Sequence, residues 1–388
     1  MKKTLTVLLG ISSFLFFACG SDGDSGDGAM KEFSLTIEDT LMIDAGDSFL
    51  DLKSSLNSAK LFDDDNTLYT YNSLDHHLDI IDLDALNIKE RIKFEKEGPN
   101  GIFGTFPFFT GMKIVDKNTF FNSTMFGFDQ FNSKAEKVKE FITQNQDKYD
   151  YVGDSLAEGE KLTGNNAFTA DGKRYYTQFK SGEASAGIAF IDLDEFRLTK
   201  KPIADFDKLD KFNITFTMTM GNGTSMISSG ESWTPIVEES RVIYANSAMN
   251  ELLIYDVVKD TAYYKTYTSQ LSPNAKEVNF STKITSQEQF SDEMKKKNQQ
   301  ITFQKPIYNP AEEVYYRFAK TTTQVNDDLT KDTYYLTVFD RDLNMIGETA
   351  ELPENLNLST LFIKDGKLLS FINIDDEMGF VVMNIQEK

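Results

Sequence analysis

A polar turn followed by a run of aromatic and aliphatic residues recurs along the chain. Asp-Gly and Asn-containing turns favour tight β-hairpins, because these residues tolerate a positive φ angle. Each copy is preceded by one short apolar run and followed by another. We therefore predict a β-hairpin in each of six segments, namely residues 63–72, 115–124, 169–179, 237–246, 309–319 and 363–373.

Most of these hairpins are followed by two further predicted strands. The third strand ends in two apolar residues before Asp or Asn, as in Ile80-Ile81-Asp82 and Phe190-Ile191-Asp192. In the second copy this signature is degenerate, and the strand is placed around residues 126–132. Fourth strands are predicted at residues 87–94, 196–203, 261–268 and 343–352.

Four antiparallel strands repeated six times are the plan of a six-bladed β-propeller. We predict an all-β fold of this kind, with four-stranded antiparallel blades in one domain, residues 31–388. The sixth copy stops after its third strand, which would leave an open, aggregation-prone edge. We expect the strand-like segment 31–44 to complete that blade and close the ring. Two stacked β-sandwiches are the alternative, but they would not explain six matched turns.

One segment between the fourth and fifth copies has a helical pattern. In residues 285–300, Thr285 and Glu288 have the spacing of a capping box. Phe290 and Met294 lie one turn apart, and Glu293 and Lys297 are spaced for an ion pair. We predict a surface helix here.

The Gly-containing segment 220–226 lacks the residues of a phosphate-binding loop, and we predict a long loop between blades.

The N-terminus has the features of an export signal. Lys2 and Lys3 precede an apolar run of about 15 residues, which is shorter than the ~20 of a membrane span. The run ends at Ala18-Cys19, which resembles the lipobox of bacterial lipoproteins. We predict a signal peptide at 1–18, lipidation at Cys19 and a flexible acidic tether at 19–30. An ordinary signal peptide containing a stray cysteine is the alternative.

The charge of the chain excludes several partners. Its 61 acidic and 40 basic residues give a net charge of −21. Nucleic-acid binding needs a basic surface, and electrostatic attachment to anionic lipids needs a basic cluster. We therefore predict no nucleic-acid partner, and membrane attachment only through acyl chains at Cys19.

The sequence contains no recognisable catalytic or metal-binding motif. His76 and His77 are the only histidines, and neighbours on a strand point to opposite faces. The acidic clusters, such as Asp63-Asp64-Asp65 and Asp375-Asp376-Glu377, do not have calcium-loop spacing. We predict no cofactor, no metal and no catalytic residue. Paired carboxylates serving glycoside hydrolysis stay open as an alternative.

The segment 95–109 combines a Gly-Pro turn with five aromatic or aliphatic residues. In a propeller, this connection would lie on the same face as the turns at 72–76, 246–251 and 375–377 and the stretch before Trp233. Aromatic rings beside polar groups suit sugar or peptide binding, although these Phe side chains could instead enter the core. The predicted ligand-binding residues are Asn72, His76, Asn100, Phe103, Phe106, Trp233 and Asn246.

The lipobox, the strand repeat and the Gly-Pro-Asn-Gly turn at 98–101 together resemble the uncharacterised six-bladed-propeller lipoproteins of Bacteroidetes, a domain-of-unknown-function family. This resemblance supplies no catalytic residues. The acidic segment after Cys19 resembles the export signal of their surface-exposed members, which implies an outer-membrane location. We expect a lipid-anchored protein that binds a glycan, peptide or envelope protein. A hydrolase or lyase and a structural scaffold are the alternatives.

Overall fold

A computed structural model describes residues 30–53, 56–62, 64, 66–102, 109–124, 127–142, 152–220, 223–326, 329–353, 358 and 360–388. The predicted signal peptide, Cys19, nearly all of the tether, Phe103 and Phe106 lie outside these residues. The fold is all-β, and most strands belong to antiparallel sheets connected by tight turns. Among the described residues, no helix is long and apolar enough to cross a membrane.

Strand β1 covers Lys31–Met42 and is followed by two four-stranded sheets. The first sheet contains β2 (Lys60–Phe62), β3 (Thr67–Asn72), β4 (His77–Asp82) and β5 (Asn87–Lys93). The second sheet contains β6 (Phe109–Asp116), β7 (Thr119–Thr124), β8 (Gly127–Asn132) and β9 (Lys137–Ile142). The degenerate third strand of the second copy is confirmed as β8.

The third sheet adds a short parallel strand at its outer edge. It contains β10 (Val152–Gly153), β11 (Glu160–Phe168), β12 (Arg174–Ser181), β13 (Ala184–Asp192) and β14 (Arg197–Pro202). A 3₁₀ helix, Phe206–Phe212, follows. Residues 220 and 223–226 of the segment predicted as a loop instead lie in the two strands of a hairpin, β15 (Ile214–Met220) and β16 (Gly223–Ser229). Threonine alternates with apolar residues in β15, and this period of two residues is typical of a strand.

The fourth sheet contains β17 (Thr234–Val237), β18 (Arg241–Ala245), β19 (Glu251–Asp256) and β20 (Thr261–Thr266). A long connection follows, in which β21 (Lys283–Ile284) pairs with β15. The predicted helix is observed as α1 (Gln287–Gln299). Its N-cap is Ser286, whose hydroxyl accepts from the Gln289 amide, so the prediction of Thr285 was one residue early. Phe290 and Met294 pack on the core as expected.

The last two sheets are joined by the N-terminal strand. The fifth contains β22 (Thr302–Phe303), β23 (Ile307–Asn309), β24 (Val314–Gln324), β25 (Thr330–Phe339) and β26 (Met345–Thr349). The sixth contains β27 (Leu361–Lys364), β28 (Lys367–Ile374) and β29 (Glu377–Glu387). Strand β1 pairs antiparallel with β29 along its length and meets β26 at Lys31 and Glu32.

The N-terminal segment pairs with the last strand of the sixth copy, as predicted. Partners in register include Ser34 with Gln386 and Leu35 with Ile385. The final hairpin turn also matches its sequence signal. Asp365 and Gly366, between β27 and β28, both have positive φ angles of 52° and 76°, which tight two-residue hairpins require.

Apolar clusters fill the space between neighbouring sheets. Six of the clusters each join two successive sheets of this series, and one of these six joins the last sheet to the first. The cluster between the third and fourth sheets also includes the 3₁₀ helix, β15 and β21. Representative pairs are Phe94 and Phe120 (sheets one and two), Phe128 and Phe179 (two and three), Tyr176 and Tyr244 (three and four), Ile243 and Phe339 (four and five), Phe318 and Met383 (five and six), and Phe371 and Leu68 (six and one).

Candidate functional site

A cleft of about 750 Å³ lies beside the junction between the sixth and first sheets. We call it the seam cleft. It is lined by the segment that follows β1, by the turn between β3 and β4, and by the turn between β28 and β29. The lining residues are Met42–Gly46, Ser48–Lys53, Leu74, Asn373 and Asp376–Met378.

Backbone contacts fix the segment that forms the floor of the seam cleft. The amide of Ile43 donates to the carbonyl of Met378 at 2.9 Å, and the amide of Asp44 donates to Leu86 at 2.8 Å. Ile43 itself is buried. These bonds tie the segment to the sixth sheet on one side and to the first on the other. The cleft therefore depends on both sheets being packed together.

Two buried polar side chains shape the opposite wall. Asp51 is 5% exposed, and its carboxylate accepts from the amides of Lys53 and Ser73 and from the Ser73 hydroxyl. Asn72 is 1% exposed, donates to the Phe49 carbonyl at 3.0 Å and accepts from the Leu74 amide. Both side chains hold the turn between β3 and β4 against the 43–53 segment.

The chemical character of the cleft is apolar with an acidic rim. Phe49 is 84% exposed, and Leu74, which also lines the cleft, is exposed as well. Of the charged residues that line the cleft, Asp44, Asp51, Asp376 and Glu377 are acidic and Lys53 is basic. Large exposed apolar side chains grouped together mark binding surfaces more often than isolated ones do.

The structure brings together part of the predicted site. Asn72 and the 375–377 turn were expected on one face, and both border the seam cleft. His76 lies in the same turn as Leu74, where the Tyr71 hydroxyl and His76 Nδ1 are 2.9 Å apart. Partial burial, followed by the nearby charge of Lys96, lowers the pKa of His76 below its usual range. This shift favours the neutral form of the imidazole.

Asn100, Trp233 and Asn246, the other predicted residues that the structure describes, lie away from the seam cleft and bond within the protein. Asn100 accepts from the Lys137 amide, and Asn246 accepts from Ala248 and Met249 while donating to Glu251. Trp233 is 1% exposed, stacks on Phe206 and donates to its carbonyl. These contacts give Trp233 and Asn246 structural roles. Ligand binding by these two residues stays a prediction, and their burial in the protein argues against it.

Sequence reasoning missed Phe49 and the rest of the 43–53 segment. The segment contains no copy of the strand repeat, so nothing in the periodicity indicated its position. The one available signal was a group of apolar residues, Phe49, Leu50 and Leu52, interrupted by Asp51 in an otherwise polar stretch. Among the described residues, no group of three or more His, Cys, Asp or Glu side chains is placed to hold a metal ion.

Comparison with known proteins identifies one family. Residues 32–350 match the model of a family described as Domain of unknown function (DUF4221). No curated protein matches the chain by sequence. The crystal structure of a member of the DUF4221 family from Bacteroides vulgatus is 16% identical, with a TM-score of 0.67, over 93% of this chain and 100% of that one. This similarity shows the fold.

Two more distant structures also align over most of the chain. One is an exported protein from Bacteroides fragilis, 10% identical with a TM-score of 0.48, covering 92% of this chain and 95% of that one. The other is the β-propeller domain of Cps50 from Myceliophteria thermophila, 9% identical with a TM-score of 0.42, covering 89% and 99%.

Proposed function

The chain belongs to the DUF4221 family, and from its own geometry we propose that it is a lipid-anchored cell-envelope protein that binds a ligand in the seam cleft. The observation that carries this proposal is the position of the cleft. It gathers exposed apolar side chains and carboxylates at the junction that the N-terminal strand completes. Ligand pockets commonly combine an apolar lining with a few polar groups in this way.

The proposed architecture is a closed six-bladed propeller. Six apolar clusters link neighbouring sheets in a cycle, with Phe371 of the sixth sheet packing in the same cluster as Leu68 of the first. The pairing of β1 with β29 supplies the outer strand of the last blade. Two stacked sandwiches would give one core within each sandwich, whereas a cycle of interfaces between successive sheets is what a ring produces.

The chemistry of the cleft favours a ligand that joins an apolar group to a positive charge. Phe49 and Leu74 offer apolar area, and burying such area contributes about 25 cal/mol per Å². Asp44, Asp376 and Glu377 supply negative charge at the rim. A peptide carrying basic and apolar side chains has both properties, which makes it the ligand class that this surface complements best.

We expect a short peptide alternating Leu and Arg to bind the protein saturably. Replacing Phe49 and Leu74 together by alanine should weaken binding by about tenfold or more, because each truncation removes contact area in the cleft. Isothermal titration calorimetry measures the effect. A peptide alternating Leu and Glu, and one alternating Ser and Arg, test the charge and apolar requirements separately.

Val258 provides the matched control for these variants. It is 81% exposed in the turn between β19 and β20, away from the seam cleft. Val258→Ala should leave peptide binding unchanged. Equal loss in the control, or equal affinity for all three peptides, would contradict the proposed site. Cleavage of a peptide or glycan that is lost in Glu377→Gln would instead support the hydrolase alternative.

The proposed location depends on the N-terminal sequence. The apolar run that ends at Ala18-Cys19 supports signal cleavage before Cys19 and attachment of acyl chains to it. More than one chain is needed for stable anchoring. Metabolic labelling with a palmitate analogue should mark the wild-type protein, and Cys19→Ala should abolish the label. Labelling that persists in this variant would show that the anchor lies elsewhere.

A further inference from the structure

A second cavity, of about 210 Å³, lies between the third sheet, the 3₁₀ helix and the segment that connects β16 to β17. We call it the polar pocket. Among the described residues that line it, Phe179 is the only large apolar one. The polar side chains of its lining include Gln178, Asp210, Asn213, Ser228, Glu231 and Ser232. The pocket therefore differs in chemistry from the seam cleft, whose lining is largely apolar.

An irregularity in the third sheet makes room for the polar pocket. The register between β11 and β12 shifts between Thr163 and Ala167. Gly164 lies within this shift and has a φ angle of 79°, a backbone conformation that favours glycine. A Cβ atom at Gly164 would lie 2.6 Å from Gln178 Nε2, closer than nonbonded atoms approach. Glycine at this position therefore leaves the space that the Gln178 side chain occupies.

Gln178 offers the polar pocket an acceptor that no described residue uses. The residue is 5% exposed, and its Nε2 donates to the carbonyl of Trp233 at 2.6 Å and to that of Asn165 at 3.4 Å. Because carbonyls only accept, the amide nitrogen must face them, and Oε1 is the free end of the amide. Within the described ranges, Oε1 receives no hydrogen bond. A buried acceptor of this kind favours a ligand that brings a donor.

The end of the 3₁₀ helix supplies two more polar groups. Asp210 accepts from the amide and from the hydroxyl of Ser185, each at 2.8 Å, which fixes its carboxylate and leaves lone pairs free. Asn213 follows the helix and packs against Gly230, where any Cβ atom would overlap Asn213 Oδ1. The Asn213 side chain makes no hydrogen bond to another residue that the structure describes. Its amide is therefore available to a ligand both as donor and as acceptor.

Two ammonium groups offset the charge of Glu231 at the polar pocket. The Glu231 side chain is 9% exposed, and its carboxylate accepts from the Ser247 hydroxyl. The distances from Glu231 Oε1 to Lys297 Nζ and Lys276 Nζ are 3.2 and 3.7 Å. Burial alone would raise the pKa of this carboxyl, but the hydroxyl and the two lysines outweigh burial and lower the pKa. Glu231 is therefore an ionised acceptor whose charge is already compensated.

We propose that the polar pocket binds a single sugar ring, which is a neutral ligand with several hydroxyl groups. Sugar hydroxyls can donate to Gln178 Oε1 and to the carboxylates of Asp210 and Glu231. The Asn213 amide can donate to the same ligand. The volume lies below the ~300–1,000 Å³ of pockets for drug-sized ligands, so one small unit fills it. Lys180 also lines the pocket, and its charge balances that of Asp210, which disfavours a free ion.

The sugar site goes beyond the peptide binding proposed for the seam cleft and uses different residues. An apolar ligand would displace water from the polar pocket without replacing its hydrogen bonds, whereas a ligand rich in hydroxyl groups replaces them. The two sites can therefore fail independently. Replacing Phe49 and Leu74 together by alanine should leave sugar binding unchanged, because neither residue lines the polar pocket.

Saturation-transfer-difference NMR with D-glucose, D-galactose and D-mannose tests the proposal on the wild-type protein. We expect at least one of the three sugars to bind saturably, and the three affinities to differ, because galactose and mannose each differ from glucose at one hydroxyl group. Glycerol is the control for unspecific binding of hydroxyl groups. L-Serine tests whether the pocket instead takes an amino acid between Lys180 and Asp210. Absence of saturable binding by all three sugars, or tighter binding of L-serine, would overturn the proposal.

Asn213→Ala separates ligand binding from folding. We expect it to weaken binding of the best sugar by about threefold to tenfold, as loss of one neutral hydrogen bond does. The melting temperature should not change, because no described residue bonds to this side chain. Asp210→Asn should weaken binding about tenfold, since it removes a charged acceptor. Asn298→Ala, at an exposed position of α1, is the control and should bind as the wild type does. Equal affinity in Asn213→Ala and the wild type would contradict the site.

Discussion

Replacing Leu35 by alanine is expected to lower the free energy of unfolding by about 2–5 kcal/mol. Leu35 is 5% exposed and packs with Phe33, Met383 and Ile385 in the cluster between the fifth and sixth sheets. Its truncation leaves a cavity where the N-terminal strand holds these sheets together. The interface between these two sheets loses both apolar contact and packing density. Urea unfolding followed by circular dichroism measures the change.

Ile37 offers a control on the same strand. It is 51% exposed and lies where the register between β1 and β29 shifts. Ile37→Ala should change the free energy of unfolding by about 0.5 kcal/mol or less, as exposed substitutions usually do. If Leu35→Ala were as mild as Ile37→Ala, β1 would not be a structural part of the domain.

The strands were predictable because their local signals agree with their final contacts. The Asp365-Gly366 turn has the positive φ angles that its residue types favour. The pairing of β1 with β29 could be inferred because the sixth copy of the repeat lacks a fourth strand. The turn depends on a pattern of only two residues. The strand pairing depends on the number of strands in each copy of the repeat.

The connections between sheets were harder to predict. The hairpin of β15 and β16 lies outside the repeat, and residues 220–226, most of which belong to its two strands, were predicted as a loop between blades. Ser286 rather than Thr285 caps α1, since the two neighbouring hydroxyl residues offer nearly the same local signal. Lys297, expected to pair with Glu293, is instead buried against Glu231 at 3.2 Å.

The candidate site was only partly predictable, because burial depends on contacts between distant segments. Trp233 follows a polar stretch and looks like an exposed aromatic residue, but the 3₁₀ helix covers it with Phe206. Phe49 shows the opposite case, since this aromatic residue lies exposed at the seam cleft. The hydrophobic pattern shows which positions alternate along a strand. It does not show which side chains a connecting segment will cover in the folded protein.

An engineered disulfide between β1 and β29 is expected to give the largest stabilisation. Ser34 and Gln386 are partners in register, and directly opposed residues of antiparallel strands have Cα atoms about 4.5–5.5 Å apart, within the range of a disulfide. The cross-link would join nearly the whole chain into one loop. By restricting the unfolded chain, it should stabilise the domain by up to about 5 kcal/mol.

Disulfide formation in this pair is the most direct test of closure by the N-terminal strand. In a Cys19→Ser background, Ser34→Cys with Gln386→Cys should oxidise within one chain and raise the melting temperature. Ser34→Cys with Asn384→Cys, which is offset by two residues, should not, because the Cα distance exceeds about 7 Å. Absence of the intrachain bond in the matched pair, or equal oxidation in the offset pair, would contradict the pairing of β1 with β29 on which the proposed ring depends.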